Sequence, residues 1–292
     1  MDKRNLIIFI LSIFIIGCVQ EIEPQIEQPI LEEVPPVEEK PVLETPPLSS
    51  NTEIKTQWIT IDAPNNKIIK AFIAQPGDDK PHAAVIILHG TDGFRSVYTK
   101  TAEVFAKHGF IAVAGCWFAG SYFKGRTFDD SIACPEGPEF KGANLEALKD
   151  VTAIIDHAGE LFQPEHIALW GQSRGATMAV LAASSGMDID AAVANGAIYT
   201  TSKQGASEWP YTDTLPITMV ESLSAPLLMI HGTADAIVNI QEAYDYEAAA
   251  KKLEKDVSTH YYEGGSHGVA LIPPTAEDAR ERAMIFLKEN LG

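Results

Sequence analysis

Five consecutive residues, Gly171-Gln172-Ser173-Arg174-Gly175, have the types and spacing of a serine nucleophile held in a tight turn. Such a turn leaves almost no room for side chains beside the serine, whose hydroxyl is lifted clear of its surroundings. A serine hydroxyl attacks poorly until a base takes its proton. Among the eight histidines, His267 is placed for that task, in Gly264-Gly265-Ser266-His267-Gly268, where glycines let the loop bend toward Ser173. His260 falls inside a strand-like run, and His108 and His157 lie near helix ends, where packing, solvation or capping suits them better. The base needs a carboxylate to orient it. Asp235, in His231-Gly232-Thr233-Ala234-Asp235, fits that role, with Asp213 and Asp256 as weaker candidates and His231 as a brace for the loop. An oxyanion formed in the reaction needs two N–H donors. One expectation is the backbone of Arg174; the other is Thr91, or alternatively Gly90, in His89-Gly90-Thr91-Asp92-Gly93. His89 itself reads as a structural hydrogen-bonder.

These residues must be delivered to one place by the elements that carry them. Trp58–Asp62 and Ile68–Gln75 read as strands joined by a turn at Pro64-Asn65-Asn66. Ala83–Leu88 and Ile111–Trp117 are continuous apolar runs, the mark of strands buried on both faces. His166–Trp170, Ala191–Gly196, Pro226–Ile230 and Thr259–Glu263 read as further strands. Between them lie helical stretches at Val97–His108, Asn144–Leu161, Arg174–Ser185, Ile240–Glu254 and Thr275–Leu291. This alternation predicts an α/β fold, with a mostly parallel sheet covered by helices on both faces. Active sites of such sheets lie beyond the carboxyl ends of the strands. Ser173, Asp235, His267 and Thr91 all fall there. Two long connections, 118–141 and 198–224, adjoin the same edge and are rich in aromatic residues. Trp117, Phe118, Tyr122 and Phe123, with Tyr199, Trp209 and Tyr211, either wall a substrate pocket or pack the loops onto the body. Arg174 either meets an anionic substrate group or pairs with a nearby acid such as Asp92.

Taken together, these pieces resemble the dienelactone hydrolase family of α/β-hydrolases. The matching features are His89-Gly90 after a strand, Gly171–Gly175, Asp235 in an H-G-x-x-D loop and His267 in a G-x-x-H-G loop, within residues 56–291. The resemblance implies an α/β-hydrolase fold without a large cap domain, and a triad in the chain order Ser173, Asp235, His267. It also implies hydrolysis of a small-molecule ester or lactone with no cofactor and no metal. One position departs from the pattern. The family's namesake enzyme has a Cys nucleophile where this chain has Ser173, which shifts the expectation from dienelactone toward general carboxylic esters. The prolyl oligopeptidase family shares the fold and triad order, but nothing in the sequence supplies its propeller domain. A non-catalytic binding protein on the same scaffold would have no need of a complete triad.

The first fifty or so residues have a different character. Lys3 and Arg4 precede an apolar run, Leu6 to Ile16, interrupted only by Ser12. The run is short of the ~20 residues that span a bilayer and fits the core of a secretory signal. Ile15-Ile16-Gly17-Cys18 resembles the lipobox of prokaryotic lipoproteins, in which the Cys becomes the lipidated first residue. Residues 1–17 are therefore expected to be a lipoprotein signal peptide, with lipidation at Cys18 anchoring an exported protein to the outer face of a prokaryotic membrane. Between Val19 and Ser50 there are eight Glu against one Lys, with several Pro. This composition predicts an extended, disordered tether over 18–52, leaving 53–292 as the catalytic domain. Setting Cys18 aside leaves Cys116 and Cys134, a candidate disulfide in an oxidising compartment. The formal net charge of −18 argues against a nucleic-acid partner. The sequence does not specify the oligomeric state.

Overall fold

The computed structural model describes residues 53–118, 129–134, 144–200, 203–204, 207–208 and 213–291. The expected signal peptide, Cys18, the tether and Trp209, like Tyr122, Phe123 and Tyr211, lie outside the described residues. The strands, in chain order, are β1 (Ile54–Ala63), β2 (Lys67–Pro76), β3 (Ala84–Leu88), β4 (Ile111–Gly115), β5 (Ile167–Gln172) and β6 (Ala191–Asn195). There follow β7 (Lys203–Gln204), β8 (Ser207–Glu208), β9 (Leu227–Gly232) and β10 (Val257–Tyr262). Eight of them form one sheet in the order β1-β2-β4-β3-β5-β6-β9-β10, and β7 pairs with β8 in a separate short ladder. From β4 to β10 every neighbouring pair in the large sheet is parallel. The β1–β2 hairpin and the β2–β4 pair are antiparallel.

The strands of the middle alternate their apolar side chains between two cores. On β3, Ala84, Ile86 and Leu88 face one core while Val85 and Ile87 face the other. The first core is covered by α2 (Asn144–Phe162), α3 (Arg174–Ala183) and α4 (Gln241–Lys252), through residues such as Leu148, Ile154, Met178, Leu181 and Tyr246. The second is covered by α1 (Ser96–Lys107) and α5 (Ala276–Leu291), through Tyr98, Phe105, Met284 and Leu287. A sheet buried on both faces leaves only its rims open to substrate, so the chemistry must sit on a rim.

Two features go beyond the sequence expectation. The β1–β2 hairpin extends to Ile54↔Pro76 at its open end, beyond the predicted Trp58. Lys55, Thr56 and Gln57 are exposed on this edge strand, so apolar alternation fails to report a strand that pairing with β2 maintains. The second long connection contains the β7–β8 ladder and a 3-10 turn at Pro216–Ser222.

Cys116, just after β4, forms a disulfide with Cys134 across a separation of 18 residues. The segment before Cys134 is also sewn to the start of α1. Ser96 N–H donates to Asp130 O at 2.9 Å and Ile132 N–H to Phe94 O at 2.8 Å. In chain-entropy terms, closing a loop of this size stabilises the fold by about 3 kcal/mol. Replacing Cys134 by Ser is expected to lower the stability measured by chemical denaturation by about that amount. Dithiothreitol should lower the parent in the same way and leave the variant unaffected; equal denaturation midpoints for parent and variant would contradict this.

Candidate active site

β5 ends at Gln172 and α3 starts at Arg174, so Ser173 alone makes the turn between strand and helix. It does so at φ 55, ψ −120, a backbone conformation that side-chain-bearing residues rarely adopt. The flanking glycines permit the turn by close approach. A Cβ on Gly171 would stand 2.3 Å from Gly175 O, and one on Gly175 would stand 2.1 Å from Leu88 O. Ser173 N–H donates to Asn195 O at 2.8 Å, which ties the turn to the end of β6.

Asp235 follows β9 and His267 follows β10, and the two loops that carry them are laced together. Thr233 N–H donates to Tyr262 O at 2.9 Å, and Ala234 N–H to Gly265 O at 3.0 Å. Gly264 N–H donates to the Thr233 hydroxyl at 2.8 Å. Asp235 Oδ2 lies 2.7 Å from His267 Nδ1, while its Oδ1 accepts the N–H groups of Ile237 and Val238 at 2.7 and 2.8 Å. Its Oδ2 is also 3.1 Å from Nε2 of buried His231. Burial pushes the Asp235 pKa up, but hydrogen bonds from His231 and His267 outweigh it and hold the carboxyl well below the usual range. Two contacts bring this pair to the serine turn. The Gln172 side-chain amide donates to His267 O at 3.0 Å. Gly196, next to the Asn195 that binds Ser173, packs so closely that an added Cβ would stand 3.2 Å from His267 Nδ1 and Cε1. His267 thus has Nδ1 turned to Asp235, which leaves Nε2 as the nitrogen that can exchange a proton with a hydroxyl.

The loop after β3 closes on the same place. A Cβ on Gly90 would stand 3.1 Å from Ser173 Cβ. Gly90 N–H donates to the Tyr98 hydroxyl at 3.0 Å and so is spoken for. Thr91, the other donor considered for this loop, follows it directly in the chain. Arg174 is buried, with its guanidinium 5.1 Å from the Trp117 ring centre and 5.4 Å from that of Phe118. The acid suggested as its partner, Asp92, is engaged by Arg95 at 3.1 Å and by the Tyr98 hydroxyl at 2.8 Å.

For three of the aromatic residues considered as pocket walls, burial favours the packing alternative. Trp117, Phe118 and Tyr199 are exposed by only 0%, 1% and 0%, so they pack the chain onto the body and do not form open walls. The Trp117 indole N–H donates to His89 O at 3.2 Å, and the Phe118 ring lies 4.3 Å from the His89 ring. Tyr199 stacks on Tyr246 at 4.8 Å, and its N–H donates to the buried carboxylate of Glu242 at 3.0 Å. Asp213 has a structural post: its carboxylate accepts the N–H of Asn144 at 2.8 Å and of Leu145 at 3.2 Å, capping the start of α2. Sequence reasoning missed the positioning contacts of Gln172, Asn195, Gly196 and Tyr98. Their only signal was proximity to strand ends for the first three, and none existed for Tyr98. Among the described residues no three His, Cys, Asp or Glu side chains converge on a common metal position.

Comparisons with known proteins bear on the family and the fold. Residues 69–290 match the model of the dienelactone hydrolase family. A candidate carboxymethylenebutenolidase of Synechocystis sp. is 27% identical over 74% of this chain and 87% of its own length. An uncharacterized peptidase of Bacillus subtilis, YtmA, is 24% identical over 70% of this chain and 82% of its own. The esterase Pf2001 of Pyrococcus furiosus superposes with a TM-score of 0.65 at 18% identity, over 82% of this chain and 94% of that one, and shares the α/β-hydrolase fold.

His89 provides a test of the packing beneath the site. It is fully buried, with Nδ1 2.9 Å from Gly90 O. Burial, reinforced by the nearby Arg174 cation and only partly opposed by the bond to Gly90, pulls its pKa down to about 3. The folded protein therefore keeps His89 neutral at pH values where an unfolded chain, with a pKa of about 6.5, would bind a proton. Stability from this group is complete above pH ~6.5 and is lost as pH falls from there toward ~3. Melting temperature is expected to drop over that window, and to drop less steeply in His89→Asn. Parallel pH profiles for parent and variant would contradict this reading of His89.

Proposed function

Because the chain belongs to the dienelactone hydrolase family, we propose that it hydrolyses carboxylic esters or lactones of small molecules through an acyl-enzyme on Ser173. The observation that carries this reading is the Asp235–His267 hydrogen bond of 2.7 Å, set on the rim where Ser173 turns at φ 55. In the first step the Ser173 hydroxyl oxygen attacks the ester carbonyl carbon, and its proton passes to His267 Nε2. The carbonyl oxygen becomes an oxyanion that accepts the backbone N–H groups of Thr91 and Arg174, the latter at the start of α3, where the helix dipole favours negative charge. Collapse breaks the bond to the alcohol, which leaves with the proton from His267. Water then attacks the acyl-enzyme and gives a proton to His267; collapse breaks the bond to Ser173 Oγ, which takes that proton back as the acid leaves. Asp235 keeps the imidazole in the tautomer with Nδ1–H and stabilises its positive form.

Ser173→Ala is expected to lower turnover of a short p-nitrophenyl ester by at least ~10³-fold without loss of the folded state, and to abolish labelling by a fluorophosphonate probe. A variant as fast as the parent would exclude Ser173 as the nucleophile. The relation to YtmA favours one second reading, a serine peptidase acting on amides through the same residues. Assaying the ester beside the matching anilide separates them. The ester reading expects the ester to be turned over far faster; comparable efficiency on both would favour the peptidase.

We further propose export and lipid anchoring through Cys18. The lipobox-like Ile15-Ile16-Gly17-Cys18 and the basic residues ahead of an apolar run support it. So does the Cys116–Cys134 disulfide, which suits an oxidising compartment. Expressed in a bacterial host, the parent is expected in the membrane fraction with incorporated labelled palmitate. Cys18→Ala should lose the label, and a labelled Cys18→Ala would overturn the assignment.

A further inference from the structure

The loop assigned to the oxyanion is itself held by a helix that begins a few residues later. Gly90 to Gly93 form a turn closed by Gly93 N–H donating to Gly90 O at 3.1 Å. Its Gly90 end presses on the nucleophile turn: a Cβ added at Gly90 would stand 3.1 Å from both Ser173 Cβ and Gln172 O. From the core, fully buried Tyr98 of α1 reaches this turn with its hydroxyl. That one oxygen accepts the Gly90 N–H at 3.0 Å and donates to Asp92 Oδ1 at 2.8 Å. It therefore fixes the residues on both sides of Thr91. The other Asp92 oxygen takes Arg95 at 3.1 Å, and Arg95 Nε donates to Asp130 Oδ1 at 2.8 Å. Asp130 also accepts the Ser96 hydroxyl at 3.1 Å.

We propose that Tyr98, acting through Gly90 and Asp92, is a positioning residue that aims the Thr91 backbone N–H at the oxyanion. The inference rests on the acyl-transfer reading above. A tyrosine kept only for its bulk would be replaceable by phenylalanine. Here the ring alone would leave the buried Gly90 N–H and the half-buried Asp92 Oδ1 without this partner. The hydroxyl commits the Gly90 N–H and one Asp92 oxygen, so Thr91 lies between two anchored neighbours. Oxyanion donors act within a few tenths of an ångström of their best distance, so a turn free to rock loses transition-state binding before it loses substrate binding. Burial raises the Tyr98 pKa well above its ordinary value, which keeps the donor proton in place throughout the neutral range.

The test is Tyr98→Phe in the full chain, with kcat expressed per site titrated by a fluorophosphonate. The expected result is a kcat about 10-fold lower with KM within about twofold, a smaller loss than the 10²–10³ typical of removing a donor outright. Binding of a trifluoromethyl ketone, whose serine adduct carries an oxyanion, should weaken by the same factor as kcat. Unchanged kcat and ketone affinity, or a rise in KM alone, would overturn the proposal. If Tyr98→Phe does not fold, Asp92→Ala removes the second anchor and should show the same loss, while Asp92→Asn, which keeps an oxygen for the Tyr98 hydroxyl, should recover most of it. An Asp92→Ala enzyme with parental kcat overturns the proposal equally. Ser173→Ala keeps the two readings apart. Should that variant retain activity, the acyl-transfer reading itself fails; should it be inactive while Tyr98→Phe is unimpaired, only the positioning role falls.

Discussion

The close seat of α3 on the ends of β3 and β5 is the constraint from which the rest of the site follows. Gly175 lies against the carbonyls of Leu88 and His89, and Gly171 against the backbone of Gly175 and Ala176. No side chain larger than hydrogen fits at either place. Holding Ser173 at φ 55 costs of order 1–3 kcal/mol, and such a conformation persists only where its surroundings over-determine it. They do so here. Every residue of α3 from Arg174 to Ala183 is buried, and β5 lies between β3 and β6 in the middle of the sheet. A helix so embedded cannot relax away from the turn that begins it. The strained serine is therefore a consequence of core packing, and the core stabilises a geometry that an isolated loop would abandon.

That central seat also determines which loops become partners of the serine. The neighbours of β5 are β3 and β6, and β9 lies beyond β6. The loop after β3 brings Gly90 and Thr91, the loop after β6 brings Gly196, and the loop after β9 brings Asp235. β10, at the far edge, is too distant for its own loop to act unaided. The lacing of residues 264 and 265 to residues 233 and 234 carries His267 inward, and Gln172 holds its carbonyl from the other side. Residues 95 or more positions apart in the chain thereby share one rim.

Much of this was legible in the sequence because it is written in local patterns. Glycines flanking Ser173, apolar runs ending at His89 and His231, and a glycine-rich loop around His267 each report a strand end with chemistry attached. What stayed hidden depends on contacts between distant segments. Tyr98 reads as an ordinary apolar position of an amphipathic helix, since nothing in its neighbourhood reveals that its hydroxyl meets Gly90. Asp213 has the same composition signal whether it orients a histidine or caps α2. Trp117, Phe118 and Tyr199 are large aromatics beside long connections, and their type alone is equally suited to a pocket wall or a core. Burial decides between these, and burial is a property of the assembled sheet. The exposed polar start of β1 failed for the opposite reason: backbone pairing with β2 maintains a strand that side-chain alternation does not announce.

The carboxylate end of the triad has an internal logic of its own. Val238 O can only accept, so the His231 Nε2 that lies 2.9 Å from it must carry a hydrogen. The same N–H also lies within reach of Asp235 Oδ2, at 3.1 Å. With two backbone N–H groups on Oδ1 and two imidazoles on Oδ2, the carboxylate is surrounded by donors and remains ionised despite its burial. A saturated anion of this kind has little freedom to rotate or to accept a proton. Its useful effect on His267 is to hold the ring's orientation and tautomer while the proton moves at the other nitrogen. On the oxyanion side Asp92 has one donor on each oxygen, Tyr98 on one and Arg95 on the other. On both flanks of Ser173 a carboxylate held on both oxygens ties down a loop, and the serine stands where the two loops meet.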